Sequence, residues 1–128
     1  MMNSILTAVL LLPLALSAGG VQWRSWDAAV AEAEQTGRII MVDAVRDACR
    51  YCERMESDVF ENAEVRARIE GRFIPVRVNI SRDTMPLDLE VPMTPSFYFL
   101  TADQKLITAI PGAWTREDFI SILEEVSP

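Results

Sequence analysis

Two cysteines and no histidine are the whole stock of thiol and imidazole groups in this 128-residue chain. A structural zinc site takes four ligands, commonly thiolates and imidazoles. No carboxylate cluster at metal spacing makes up the difference, so no metal is expected from that source. Copper(I) accepts two thiolates and suits soft ligands. Met41, Met55, Met85 and Met93 therefore keep a copper-handling or plain binding module as a rival reading, although Met at such positions is commonly core or loop filler. Basic runs and aromatic-basic interleaving are also missing, and the formal charge is −7. Such a surface repels nucleic acid and anionic lipid, so neither is an expected partner. There are no internal repeats and no low-complexity tract. With half its residues apolar, the chain suits one globular domain with a single sizeable core.

Charge is absent from the start of the chain as well: the first charged residue is Arg24. Ile5 to Leu16 is almost wholly apolar, and small residues follow at Ser17, Ala18, Gly19 and Gly20. The run is shorter than the roughly 20 residues of a membrane-spanning helix, and Pro13 interrupts it. This pattern predicts a secretory signal peptide over residues 1–19, cleaved near 17–19, and a mature domain over 20–128. The opening "MMNS" carries no Lys or Arg, which leaves an uncleaved N-terminal anchor as the alternative. The expected location is exported and periplasmic. There, a chain with two cysteines carries either one disulfide or one redox pair.

From Gln22 to Thr36, Trp23, Trp26, Val30 and Ala33 recur at helical spacing, with Gly37 as the stop. Ile39 to Val42 is a short continuous apolar run, as in a strand buried on both faces. "CERMESDVF" and "AEVRARIEG" read as two helical pieces separated near Asn62, the second closed by Gly71. Phe73 to Ile80 is β-branched enough for a strand, and Pro75 places it at a sheet edge or makes it start late. "SRDTMPLDLEVPMTP" holds three prolines and reads as a loop with at most a helical turn. "SFYFL" and "KLITAI" are strands joined by the turn "TADQ". "TREDFISILEEV" is a helix opened by a capping box at Thr115 and Asp118. The order predicts an α/β fold, a mixed sheet with helices on both sides and an amphipathic helix leading in.

The cysteines lie in "MVDAVRDACRYCERM", between the apolar strand and a helix. A disulfide across so short a loop restrains little, about 2 kcal/mol against about 3 for fifteen residues. A pair that trades electrons accounts for more. With the helix starting at or just after Cys49, that sulfur faces unsatisfied amides and the positive end of the helix dipole, which favour thiolate over thiol. Arg50 adds a cation one residue away, although Asp47 cancels part of its field. Cys49 is then the nucleophile and Cys52, one turn deeper, the resolving thiol. Tyr51 is a rim or packing residue between them.

"IIMVDAVRDACRYC" resembles the strand-then-CxxC motif of the thioredoxin superfamily, with Asp43 at the position of that family's buried acid. "TPSFYFL" resembles the segment that opens its third core strand, which implies a cis-proline at Pro95. "VRVNI" resembles the strand that holds a cation near the buried acid, which implies that role for Arg77. The resemblance spans roughly Trp23 to Val126. The Trp-rich start and "CERMESDVFENAEV" are similar to exported thioredoxin-like domains of thiol:disulfide interchange proteins, chiefly reductants. "RY" between the cysteines departs from the Gly-Pro of thioredoxin proper, and a Tyr before the second cysteine is similar to glutaredoxins and disulfide isomerases.

The resemblance implies a thioredoxin-like fold with a central mixed four-stranded sheet. It implies that Thr94 and Pro95, with Arg50 and Tyr51, bind an extended substrate segment. Asp43, its pKa raised by burial, would take the proton of Cys52. The expected function is an exported thiol:disulfide oxidoreductase without cofactor, since the dithiol carries the electrons. Net reduction of protein disulfides ranks above oxidation or isomerisation. The expected partners are protein thiols and disulfides and an upstream membrane electron donor, and the chain is expected to be a monomer.

Overall fold

The computed structural model describes residues 20–128; the expected signal peptide lies outside the described residues. Strand β1, Ile39–Val45, runs three residues further than the apolar run alone predicts. It is central: β2 (Phe73–Asn79), β1, β3 (Ser96–Leu100) and β4 (Leu106–Pro111) follow in that order across one four-stranded sheet. β1 pairs parallel with β2 and antiparallel with β3, and β3 pairs antiparallel with β4. The parallel pair needs a crossover. It is made by α2 (Arg50–Met55), a π-helical turn (Glu56–Phe60) and α3 (Ala63–Arg72).

Alternation along β1 divides the core in two. Ile39 and Met41 join Met55, Phe60, Phe97, Phe99, Phe119 and Leu123 on one face. Ile40, Val42 and Ala44 join Ala29, Ala33, Val76, Tyr98 and Leu100 on the other. The first face is roofed by α2, α3 and α4 (Arg116–Glu125), the second by α1 (Trp26–Thr36). Phe60 anchors the first face, meeting Trp23, Phe97 and Phe119 edge-on with ring centroids 5.3, 6.1 and 5.6 Å away. Together these elements form the expected mixed four-stranded sheet with helices on both sides.

Two helix boundaries differ from the sequence pattern. The leading helix starts at Trp26, where Ser25 caps it by accepting from the Ala28 amide. Trp23 therefore precedes the helix and packs on the opposite face of the sheet from Trp26. Its apolar spacing reflected burial, not helix. Gly71 lies inside α3 and the helix runs directly into β2, whose Phe73 is already extended. Gly37, by contrast, ends α1 in the left-handed region at φ 71°. Glycine reaches that region without the Cβ clash.

Pro75 sits on the outer side of β2, the sheet's edge strand. Its carbonyl accepts from the Arg24 amide at 2.9 Å, and the missing N–H costs the β1–β2 ladder nothing. The segment ahead of α1 thus covers part of that edge. The 85–95 loop carries a single 3-10 turn at Pro86–Asp88. Among the described residues no helix is long and apolar enough to cross a membrane.

Phe60→Ala removes the ring at the centre of this aromatic cluster and should cost about 3–5 kcal/mol in urea unfolding. Asn62→Ala, which removes the side chain that accepts from the Glu64 and Val65 amides, should cost about 1 kcal/mol.

Candidate active site

β1 ends at Val45, and the chain turns through Arg46 to Ala48, the last with φ 50°. That turn sets Cys49 as the N-cap of α2. Its sulfur takes the place usually held by a capping oxygen: Cys49 Sγ accepts from the Cys52 amide at 3.2 Å. Cys49 and Cys52 are joined as a disulfide.

The peptide bond between Thr94 and Pro95 is cis. The Thr94 carbonyl oxygen lies 3.6 Å, and its Oγ1 3.3 Å, from Cys49 Sγ. A disulfide sulfur carries no hydrogen, so the hydroxyl donates to it. That hydroxyl is oriented in turn by Arg46, whose Nε donates to Thr94 Oγ1 at 2.9 Å. A chain of donors therefore runs from guanidinium to hydroxyl to sulfur. Donors aimed at a sulfur stabilise it as a thiolate once the disulfide opens.

Depth differs from the sequence expectation. Cys49 is 2% exposed, because Thr94 packs over it, whereas Cys52 is half-buried and borders a concavity of about 300 Å³. Burial thus ranks the two cysteines in the reverse of the expected order although both line that concavity, and what singles out Cys49 is its place at the helix cap. The concavity also holds Asp47, Glu53, Glu56 and Arg77.

Arg77 links that concavity to Asp43. Parallel register sets Asp43 on β1 opposite Arg77 on β2, and alternation puts Asp43 on the sheet face of Met41, beneath α2. Asp43 is 1% exposed. Its Oδ2 accepts from Arg77 Nε at 3.3 Å, and its Oδ1 has no hydrogen-bond partner. Burial pushes its pKa up to about 7; Arg77 opposes the rise and the nearby Glu56 carboxylate adds to it. Arg77 is itself divided, donating to Glu56 Oε2 at 2.7 Å and lying 3.9 Å over the Trp23 ring.

On the other side of the disulfide lies a groove of about 730 Å³, bordered by Thr94, Tyr51, Val91, Met93, Arg46 and Arg54 among others. Of the expected site residues, the structure gathers Cys49, Cys52, Thr94 and Pro95 at the disulfide, Asp43 and Arg77 beneath it, and Tyr51 on the groove. Arg50 is exposed and borders neither concavity. Three residues at the site escaped the sequence reading. Glu56 stands one helical turn after Cys52, a spacing that signals a shared face, but Arg46 and Trp23 are brought in only by folding. Among the described residues no group of three or more Cys, Asp or Glu side chains is placed to hold a metal ion.

Asp43 gives stability a defined pH dependence. Its folded-state pKa of about 7 exceeds the ordinary 3.8. Between these values the folded state holds a proton that the unfolded chain has released, so stability falls as pH rises through that window and levels off above it. At about 1.4 kcal/mol per pKa unit, Asp43→Asn should stabilise the oxidised protein by about 2–4 kcal/mol at pH 8 and change it little at pH 4. Urea unfolding at the two pH values measures both.

A family model described as a thioredoxin-like domain matches residues 26–127. No curated protein matches the sequence. Among solved structures, the chain is similar to a DsbH oxidoreductase, with TM-score 0.68 and 17% identity over 90% of each chain. It is similar to a thioredoxin from Thermus thermophilus, with TM-score 0.68 and 26% identity over 82% of this chain and 85% of that one. The C-terminal domain of Neisseria meningitidis DsbD in its reduced form is similar with TM-score 0.61 and 18% identity, over 77% of this chain and 91% of that one. With a model match over most of its length, the sheet order described above and a CxxC disulfide at the cap of α2, the chain belongs to the thioredoxin-like domain family.

Proposed function

We propose that this chain is an exported thiol:disulfide oxidoreductase that reduces protein disulfides through a mixed disulfide at Cys49. The observation that carries this reading is the Cys49 sulfur itself, capped by the Cys52 amide and faced by the hydroxyl and carbonyl of Thr94. In the reduced protein the Cys52 amide and the Thr94 hydroxyl stabilise a Cys49 thiolate, which attacks one sulfur of a substrate disulfide and expels the other as a thiolate. Cys52 then gives up its proton and attacks Cys49 Sγ, releasing the second substrate thiolate. Two electrons pass from the dithiol to the substrate and the protein disulfide re-forms.

Asp43 is the acceptor for the Cys52 proton. A carboxylate with a pKa of about 7 is matched to a thiol at neutral pH, and Arg77, which touches Asp43, lines the same concavity as Cys52. Thr94 and Pro95 offer backbone to an extended substrate segment, and Tyr51 lies along its path.

The buried carboxylate also favours the direction of reduction. A negative charge beneath the dithiol penalises a second one on sulfur, which destabilises the reduced pair and makes it the better electron donor. The resemblance of "CERMESDVFENAEV" to exported interchange domains points the same way and implies a membrane protein as the upstream donor. Export rests on the apolar run Ile5 to Leu16. The chain acts as a monomer.

Cys49→Ser should abolish dithiothreitol-linked insulin reduction, and Cys52→Ser should accumulate mixed disulfides that non-reducing gels reveal. Trapping by Cys49→Ser instead would reverse the two roles. Equilibration with glutathione should place the pair near about −270 mV, whereas a value near about −120 mV would make the protein an oxidant.

A further inference from the structure

We infer that the groove beside Cys49 selects target segments that carry an acidic side chain next to an apolar one. This rests on the reading of the dithiol as a site of protein disulfide exchange and names the class of segment it takes.

The groove is apolar along Tyr51, Ile80, Val91 and Met93, and Arg46 and Arg54 are the only charged residues that line it. Tyr51 and Met93 are 54% and 53% exposed, so its apolar wall stands open beside the reacting sulfur. Five other arginines, Arg24, Arg38, Arg68, Arg77 and Arg82, are held in ion pairs. Among the described residues Arg46 and Arg54 are in none. Arg46 spends only Nε, on Thr94, and Arg54 lies 5.4 Å from the centre of the Tyr51 ring. In a chain of net charge −7, these two cations outside the ion pairs sit along one apolar groove. Guanidinium nitrogens left without partners are matched by a carboxylate.

The opposite side of the disulfide differs. Asp47, Glu53 and Glu56 border that concavity together with Arg46 and Arg77, so it favours an acidic segment less than the groove does. The groove, with two cations and no acid on its lining, is therefore the more favourable path for an acidic segment past Cys49. Arg46 is tied to the Thr94 hydroxyl that faces the sulfur, which places the favoured acidic side chain close to the substrate cysteine.

The test uses the reduced full chain and peptide disulfides that differ only in having Glu, Gln or Lys between an apolar residue and the cysteine, with neutral hydroxyethyl disulfide as reference. The Glu peptide should exceed the Lys peptide in kcat/KM by about tenfold at low ionic strength, with Gln between, and the ratio should collapse in high salt. Arg54→Glu should shrink or invert the ratio, which cancels any change in general reactivity. A ratio within about twofold at low salt, or one unchanged by Arg54→Glu, overturns the selection, and reduction of hydroxyethyl disulfide in that same experiment leaves the oxidoreductase reading standing. Should no disulfide be reduced, that reading fails. Binding of cysteine-free Glu and Lys peptides to the oxidised chain, followed by chemical shifts at Tyr51 and Met93, then decides the selection separately. Self-association that protects Tyr51 and Met93 would give the groove to a second copy and overturn the proposal.

Discussion

A carboxyl group occupies a position on β1 that the sheet reserves for apolar side chains, and much of the site follows from that placement. Asp43 shares its face with Met41 and faces Arg77 across the parallel ladder. It accepts one long hydrogen bond, leaving Oδ1 unpartnered. Such a group costs stability whenever it is charged, and the fold leaves that cost in place. Arg77 is not given wholly to it, because Glu56 takes the shorter contact. The result is a carboxyl with its pKa raised to about 7 on the strand that leads to the redox pair. A full ion pair would hold Asp43 charged, and complete isolation would hold it neutral. A shared arginine sets it between the two.

The N-terminal segment also holds Arg77. Trp23 stacks on the guanidinium and meets Phe60 edge-on, while the next residue, Arg24, bonds to the outer side of β2 through the Pro75 carbonyl. Phe60 in turn closes the π-helical turn that begins at Glu56. A π turn inserts an extra residue and re-aims the side chains around it. Glu56 and Phe60, its two ends, both reach Arg77. Sheet edge, helix irregularity and leading segment therefore converge on one side chain.

How much of this was legible in sequence depended on range. The order of elements and the mixed four-stranded sheet were readable because apolar runs, caps and breakers act over a few residues. Ser25, Asn62 and Thr115 cap their helices by accepting from amides two or three residues on. Trp23 misled for the same reason: burial at helical spacing looks alike whether the residue lies in the helix or ahead of it. Arg46 and Thr94 are 48 positions apart, and nothing local to either one signals the other. The relative burial of the cysteines was also out of reach, because what covers Cys49 is a loop more than forty residues downstream.

The two sides of the disulfide divide the chemistry. Arg46, which lines both concavities, donates to the Thr94 hydroxyl and that hydroxyl to Cys49, the sulfur proposed to meet the substrate. Asp43, Arg77 and Glu56 form a connected set of charges, of which Arg77 and Glu56 share a concavity with Cys52, the sulfur proposed to lose a proton as the mixed disulfide resolves. The helix start separates the sets by only one turn, yet among the described residues no hydrogen bond or ion pair joins the side chains of one to those of the other. Capture of the substrate and release of the product can then be tuned separately. A change in the donors at Cys49 alters how readily the first thiolate forms, whereas a change in the buried charges alters how readily the second one does. On the proposed mechanism electron direction follows the balance of the two, which "RY" does not carry: Arg50 borders neither concavity, and Tyr51 serves as apolar wall of the groove.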